Sequence, residues 1–303
     1  MSQSLLPTRR SVLAGLAATA AAPALAKAPM MGMSVPKYRR VMLGGYEVTT
    51  LLAGTAARDE PQKIFGQNVS AEEFAAASQA ANIPADRVQF FFTPVVVNTG
   101  DQLVLFDTGL NPQGTGAALQ EAGYSPDQVD TVVITHMHGD HVGGLMDGET
   151  ETFANAAYVT GRVEYDHWAK SDSKAFDTKV RPLSEKFTFV EDGGTAAPGV
   201  TAMAAFGHTP GHMTYMLESE GRTMLLAADF ANHYVWSLAH PDWEVRFDMD
   251  KSAAAATRRR MLDMLASTGT PFSGYHMPFP ATGYVVKRGD GYAYEPSTYQ
   301  LML

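Results

Sequence analysis

The sequence predicts a layered α/β or α+β single domain. Short apolar runs bounded by glycine-rich turns recur from Tyr38 onward, and segments with helix signatures sit between them. No short repeat, low-complexity linker or internal break in composition divides the 303 residues. A chain of this length buries a substantial core without staples.

The elements follow in order. Residues 27–36, with Met and Pro, read as an irregular arm. Ser70–Ala81 opens with a serine cap and Glu73 three positions later, the capping-box spacing. Phe90–Val97 and Leu103–Phe106 read as strands around Asn98-Thr99-Gly100-Asp101, which has hairpin chemistry. Val129–Ile134, Ala156–Thr160 and Val200–Phe206 are short buried-strand candidates. Gly161–Lys170 and Ser173–Phe187 read as helices, the second interrupted by Pro182. Thr214–Leu217 and Thr223–Ala227 flank the turn Ser219-Glu220-Gly221. The Ala-rich stretch from Asp250 through Ala266 is the firmest helix, stopped by Gly269 and Pro271. Its Arg258-Arg259-Arg260 run is expected on a solvated face. Gly283–Tyr294 closes the chain as a hairpin over Gly289-Asp290-Gly291.

Residues 1–26 read as an export signal. Arg9-Arg10, an apolar stretch and Ala24-Leu25-Ala26 supply its charged, hydrophobic and cleavage parts. The paired arginines resemble a twin-arginine signal, and the expected location is periplasmic or secreted. The apolar stretch falls short of the roughly 20 residues a membrane span needs, so no span is expected in the mature protein. Cleavage after Ala26 leaves a domain of residues 27–303 and takes the formal charge from −9 to −11, because Arg9 and Arg10 are the only charged side chains removed. That acidic balance argues against a nucleic-acid partner, which requires clustered Lys and Arg. The absence of cysteine rules out disulfides, thiolate metal sites and a cysteine nucleophile.

The histidines carry the chemistry. Thr135-His136-Met137-His138-Gly139-Asp140-His141 follows directly on the Val129–Ile134 strand. In an extended segment residues i and i+2 face the same way, so His136 and His138 can converge on one cation. The chain then turns at Gly139, letting Asp140 and His141 address a second position. Imidazoles and a carboxylate suit Zn²⁺, and Mn, Fe or Co use the same donors. A second strand leads into Gly207-His208-Thr209-Pro210-Gly211-His212, Thr223–Ala228 ends at Asp229, and His276 follows Pro271. His167, His233 and His240 need no metal role and are expected at the surface or a pocket rim. No G-x-S-x-G elbow suggests a serine nucleophile.

The H-x-H-x-D-H run, the G-H-T-P-G-H segment, the later Asp and the final His resemble the metallo-β-lactamase superfamily, most nearly its methyl parathion hydrolase branch. The resemblance implies a four-layer αββα sandwich with two divalent cations, Zn²⁺ foremost. One would be held by His136, His138 and His212, the other by Asp140, His141 and His276, with Asp229 bridging. In this carry-over the last His of G-H-T-P-G-H is the ligand, and His208 is not. Asp107 resembles a support behind the ligands. Gly139 stands where close relatives carry proline.

The implied reaction is hydrolysis of an ester-like bond in a small hydrophobic lactone, aryl ester or organophosphate triester. A metal-bridging hydroxide would attack, and Asp140 would handle the proton. Trp168, Phe91 and Phe92, with Phe65, Trp236 and Trp243, are candidates for an apolar pocket or for core. The resemblance also implies a homodimer. An iron-containing redox relative, dioxygenase-like, and a thioesterase-type branch are the alternatives; glyoxalase II, β-lactamase and nuclease branches fit less well.

Overall fold

A computed structural model describes residues 28–298. The export signal expected over residues 1–26 therefore lies outside the described residues. The chain divides after Val35. Residues 28–35 carry no regular secondary structure, and every element belongs to the unit that starts at Pro36.

That unit opens with β1 (Tyr38–Leu43), β2 (Tyr46–Leu51), β3 (Gly54–Asp59), α1 (Ala71–Ala80) and β4 (Arg87–Phe92). It continues through β5 (Val95–Asn98), β6 (Leu103–Phe106), α2 (Pro112–Glu121), β7 (Thr131–Ile134) and α3 (Gly139–Val142). Two short strands, β8 (Met146–Asp147) and β9 (Thr150–Glu151), precede β10 (Ala157–Gly161), α4 (Arg162–Trp168) and β11 (Phe187–Val190). Then come β12 (Thr195–Ala197), β13 (Val200–Ala204), β14 (Met213–Ser219), β15 (Arg222–Ala228) and α5 (Lys251–Thr268). The described chain ends with β16 (Phe272–Gly274), β17 (Thr282–Arg288) and β18 (Gly291–Pro296).

Two seven-stranded sheets form, in the orders β1-β2-β5-β6-β7-β10-β11 and β12-β13-β14-β15-β16-β17-β18. Between them lies one apolar layer, with Val97, Val104 and Val133 from the first sheet against Tyr215, Leu217 and Leu226 from the second. The opposite face of the first sheet packs Leu105 and Ile134 against Leu119 of α2 and Phe176. The opposite face of the second packs Leu225 and Phe272 against Met261, Leu262 and Leu265 of α5. This is the expected αββα sandwich. The β3–β4 hairpin belongs to neither sheet; with α1 and the 235–245 segment it forms a separate cluster around Phe65, Phe74 and Trp236.

Local chemistry sets the boundaries. Ser70 Oγ accepts the Glu73 N–H at α1, and the Asp250 carboxylate accepts the Ala253 N–H at α5. Gly269 ends α5 at φ 66°. The expected single strand Phe90–Val97 is two, because the chain breaks at Thr93-Pro94 and β4 leaves for the hairpin while β5 joins the first sheet. The helix expected over Ser173–Phe187 is a π turn (Phe176–Val180) followed by a 3₁₀ segment (Arg181–Lys186), since Pro182 cannot donate to an α-helical ladder. The Arg258-Arg259-Arg260 run is not a solvated face throughout. Arg258 is 1% exposed, bonded to Asp248 and to the carbonyls of Phe230, Pro241 and Trp243. No helix of the described residues is long and apolar enough to cross a membrane.

Candidate metal centre

The chain segments that follow β7, β13, β15 and β16 converge at one end of the sandwich, each carrying polar side chains just beyond an apolar strand. The turn after β7 brings His136, His138, Asp140 and His141. His136 Nε2 stands 3.1 Å from His138 Nδ1, which stands 3.0 Å from His208 Nε2. A tetrahedral cation with bonds of 2.0–2.1 Å separates its ligands by about 3.3 Å, so the three nitrogens already have the required spacing. A second group is formed by Asp140, His141 and His276, with His276 Nε2 3.4 Å from Asp140 Oδ2 and His141 Nε2 3.7 Å from it. Asp229 lies between the groups. Its Oδ1 is 3.4 Å from His141 Nε2, and its Oδ2 is 3.1 Å from His276 Nε2 and 3.5 Å from His208 Nε2.

His208 supplies the third nitrogen of this group, and His212, the expected ligand, stands beside it with its ring centre 5.0 Å from that of His136. His212 Nε2 instead accepts the backbone N–H of Asp229 at 3.1 Å. The two rings differ because the turn between them reverses the chain. Gly207 has φ 126°, and a Cβ there would meet the backbone of Ala254 in α5 at 2.2 Å. Gly211 presses on the backbone of Glu164, where a Cβ would come within 2.1 Å. Only glycine fits either place, and the resulting turn sets His208 Nε2 against His138 and His212 Nε2 against the Asp229 N–H.

The donor set fits cations on independent grounds. His141 Nδ1–H donates to Asp107 at 2.8 Å, His208 Nδ1–H to Asp248 at 2.8 Å, and His276 Nδ1–H to the Phe91 carbonyl at 2.8 Å. The Thr135 hydroxyl donates to Asp107, which leaves its oxygen to accept from His136 Nδ1 at 3.1 Å. Each of these rings thus presents a bare Nε2 to the cluster, the arrangement that holds metal-ligating histidines in one tautomer. His141 Nε2, His212 Nδ1 and Asp229 Oδ1 are buried without a hydrogen-bond partner, as ligand atoms for a cation would be. Asp107 thus accepts from both His141 and Thr135, and its own backbone sits in the left-handed region at φ 59°. Ala228 does likewise at φ 47°, one residue before Asp229.

The electrostatics divide in the same way. Burial pushes His138 down to about 3, helped by the neighbouring His208, and burial also holds His136 well below its usual value. Burial acts downward on His276 too, but Asp229 and Asp140 overrule it and raise it to about 10. His141 is raised well above its usual value against burial, by Asp229, Asp107 and Asp140. Burial pushes Asp140 up, yet His141 and His276 hold it at about 2. The carboxylates make a field that favours positive charge at the second group.

Two residues essential to this geometry carry no motif. Glu164, fully buried in α4, accepts from Met137 N, Trp168 Nε1, Thr209 Oγ1 and Gly211 N, joining the two histidine turns through one carboxylate. Asp248 links His208 to Arg258. The only sequence signal for either is an acidic residue next to aromatic or apolar neighbours.

The centre opens into a cavity of about 430 Å³, lined by Phe90, Phe92, Ile64, Leu110 and Phe247, with Arg58 among its wall residues. Phe92 is thus in the wall as expected. Phe91 faces the other side of the hairpin, and its ring is absent from this wall. Trp168 lies against His138, ring centres 5.8 Å apart, and donates to Glu164 without lining the cavity. Phe65, Trp236 and Trp243 are core. His240 stacks on Trp243, His167 packs against Trp168, and His233 is buried beside Trp236.

Comparison with known proteins agrees with this architecture. The chain is similar to the N-acyl homoserine lactonase AiiA of Bacillus thuringiensis subsp. kurstaki, 29% identical over 112 residues, covering 37% of this chain and 42% of that protein. It spans less than half the length of the curated lactonases it matches. Among solved structures it resembles AidC, a dizinc quorum-quenching lactonase in complex with a product, at TM-score 0.81 and 22% identity, covering 87% of this chain and 98% of AidC. It also resembles the hydrolase AbOPH of the beta-lactamase superfamily, at TM-score 0.80 and 23% identity, covering 88% of this chain and 100% of that one. The metallo-beta-lactamase superfamily model matches residues 93–268, which span β5 to the end of α5 and hold every residue of the two groups except His276. With that match over more than half of its length, the chain belongs to the metallo-beta-lactamase superfamily.

Proposed function

We propose that the protein is a dinuclear metal-dependent hydrolase that opens lactones, the N-acyl homoserine lactones foremost, with aryl esters and phosphotriesters as secondary substrates. One observation carries the reading: two ligand groups sharing Asp229 open onto a largely apolar cavity. Two divalent cations, Zn²⁺ by donor type, would supply hydroxide at neutral pH and a Lewis acid for the carbonyl oxygen. His136, His138 and His208 would hold one, Asp140, His141 and His276 the other, and Asp229 both.

The side chains do the rest. Asp140 is the most exposed carboxylate of the cluster and faces the cavity, where it can orient the attacking water and pass its proton to the departing alkoxide. Tyr275 Oη donates to the Asp140 carbonyl at 2.5 Å and steadies that turn. Phe90, Phe92 and Phe247 exclude bulk water and give an acyl chain an apolar wall. The similarity to AiiA and AidC supports a lactone over other esters. Export through the twin-arginine signal at Arg9-Arg10 belongs to the same proposal, and a mature N-terminus at Lys27 is the expected sequencing result.

The test is a panel of N-acyl homoserine lactones, aryl esters and phosphotriesters offered to zinc-loaded protein of measured metal content. Metal-dependent lactone turnover at two cations per chain is expected. Hydrolysis of none of the three classes overturns the reading.

A further inference from the structure

The β3–β4 hairpin has a cavity on each side. The second, of about 380 Å³, is lined by Ala57, Ile83, Val88, Phe91, His233 and Trp236, and it shares only His276 with the first. A cavity of this size is within the range of small-molecule sites.

Its chemistry is specific. His233 is 7% exposed and stacks on Trp236 with ring centres 4.0 Å apart. Its Nδ1 accepts the backbone N–H groups of Val235 and Trp236, each at 3.1 Å, so the ring proton is on Nε2. No group among the described residues accepts from that Nε2–H, which leaves it available to a ligand in the cavity that His233 lines. The remaining polar wall residues are Arg87, Gln89, Tyr234 and His276, and no Asp or Glu lines the cavity. Arg87 reaches Asp59 at 3.5 Å, but both side chains are more than half exposed, so this pair is screened and its guanidinium can turn to an anion.

We propose that this cavity binds a small monocarboxylate with a medium-length apolar body. The carboxylate accepts from His233 Nε2–H in the field of Arg87, and the body lies on Ile83, Val88 and Phe91. The site meets the metal centre only at His276, which lines both cavities, and does not depend on the hydrolytic reading.

Octanoate is the probe, titrated calorimetrically into the metal-loaded full chain, with acetate and octan-1-ol as its two halves. One octanoate per chain is expected at this site, with acetate and octanol each at least about tenfold weaker, as loss of one charge-assisted bond or of the apolar body implies. Arg87→Ala removes the charge and Ala57→Trp fills the cavity; each should weaken octanoate by about tenfold or more with metal content unchanged. The ¹⁵N signal of His233 Nε2 should shift on addition. Octanoate affinity unaltered by both substitutions, with a still His233 signal, places binding elsewhere and overturns the proposal, as does the absence of binding.

Discussion

The two histidine turns of the cluster are built from similar parts and do different work. The turn after β7 directs all three of its histidines at the cation positions. The turn between β13 and β14 sets His208 Nε2 against His138, whereas His212 Nε2 holds the backbone N–H of Asp229. One turn gathers its rings into the donor groups; the other divides its two rings between those groups and the backbone of the residue they share. Being adjacent to a strand end brings a histidine to the centre, but the second partner of its ring decides what it does there.

Substitutions can break this contrast. The largest effect is expected from Asp229→Ala, which removes the shared carboxylate. Metal content measured by elemental analysis should fall from two per chain, and turnover should drop by well over about a hundredfold, beyond the loss typical of a residue behind the ligands. Two retained cations would show that Asp229 does not join the groups.

Next is the pair His208→Ala and His212→Ala. The first should weaken metal binding by more than about a hundredfold, and in the metal-free protein it should also cost about 1–3 kcal/mol because buried Asp248 loses its His208 donor. The second should leave both cations bound but cost about 1–3 kcal/mol, because the Asp229 N–H loses its acceptor. The reverse pattern would restore His212 as the ligand.

Asp248→Asn acts one step back. It should lower metal affinity by about 10–100-fold, read by competition with a chelator, because the His208 ring loses its anionic partner. Glu164→Gln loosens the tie between the turns. An amide oxygen cannot replace both carboxylate oxygens, and a loss of about 1–3 kcal/mol is expected in urea unfolding.

The smallest effect concerns pH. Burial pushes the Asp248 carboxyl up, but His208 and Arg258 outweigh it and hold the folded value below the usual one. A depressed folded value means the unfolded chain binds the proton more readily. The stabilisation is therefore present above the unfolded value of about 3.9 and lost as pH falls below it toward the folded value. Urea unfolding from pH 6 to pH 3 should show this acid loss, and Asp248→Asn should flatten it.

Much of the centre was readable along the chain for a physical reason. His136 and His138 share a face through the period of an extended strand, and Asp140 and His141 follow within the same turn, so adjacency alone groups them. Asp229 and His276 are isolated in sequence; their place at the ends of apolar runs made them candidates, and the family resemblance gave them roles. The different partners of His208 and His212 were not readable, because they depend on a turn fixed by contacts with α4 and α5 and on an aspartate forty residues away. Arg258 misled for a related reason: three arginines in a row suggest solvent, but only the ring of carbonyls and Asp248 around one of them shows it buried. The sandwich was legible through its apolar strands, whereas the departure of β4 from the first sheet was not, since Phe90, Phe91 and Phe92 look like any buried run.

That departure has an evolutionary consequence. No residue of the two ligand groups lies on the β3–β4 hairpin, which contributes Ala56, Arg58, Phe90 and Phe92 to the cavity wall and meets the groups at His276, through its bond to the Phe91 carbonyl and the edges of the Phe90 and Phe92 rings. A lineage can therefore redraw what the enzyme accepts by altering a ribbon outside the framework, while the reactive centre is inherited intact.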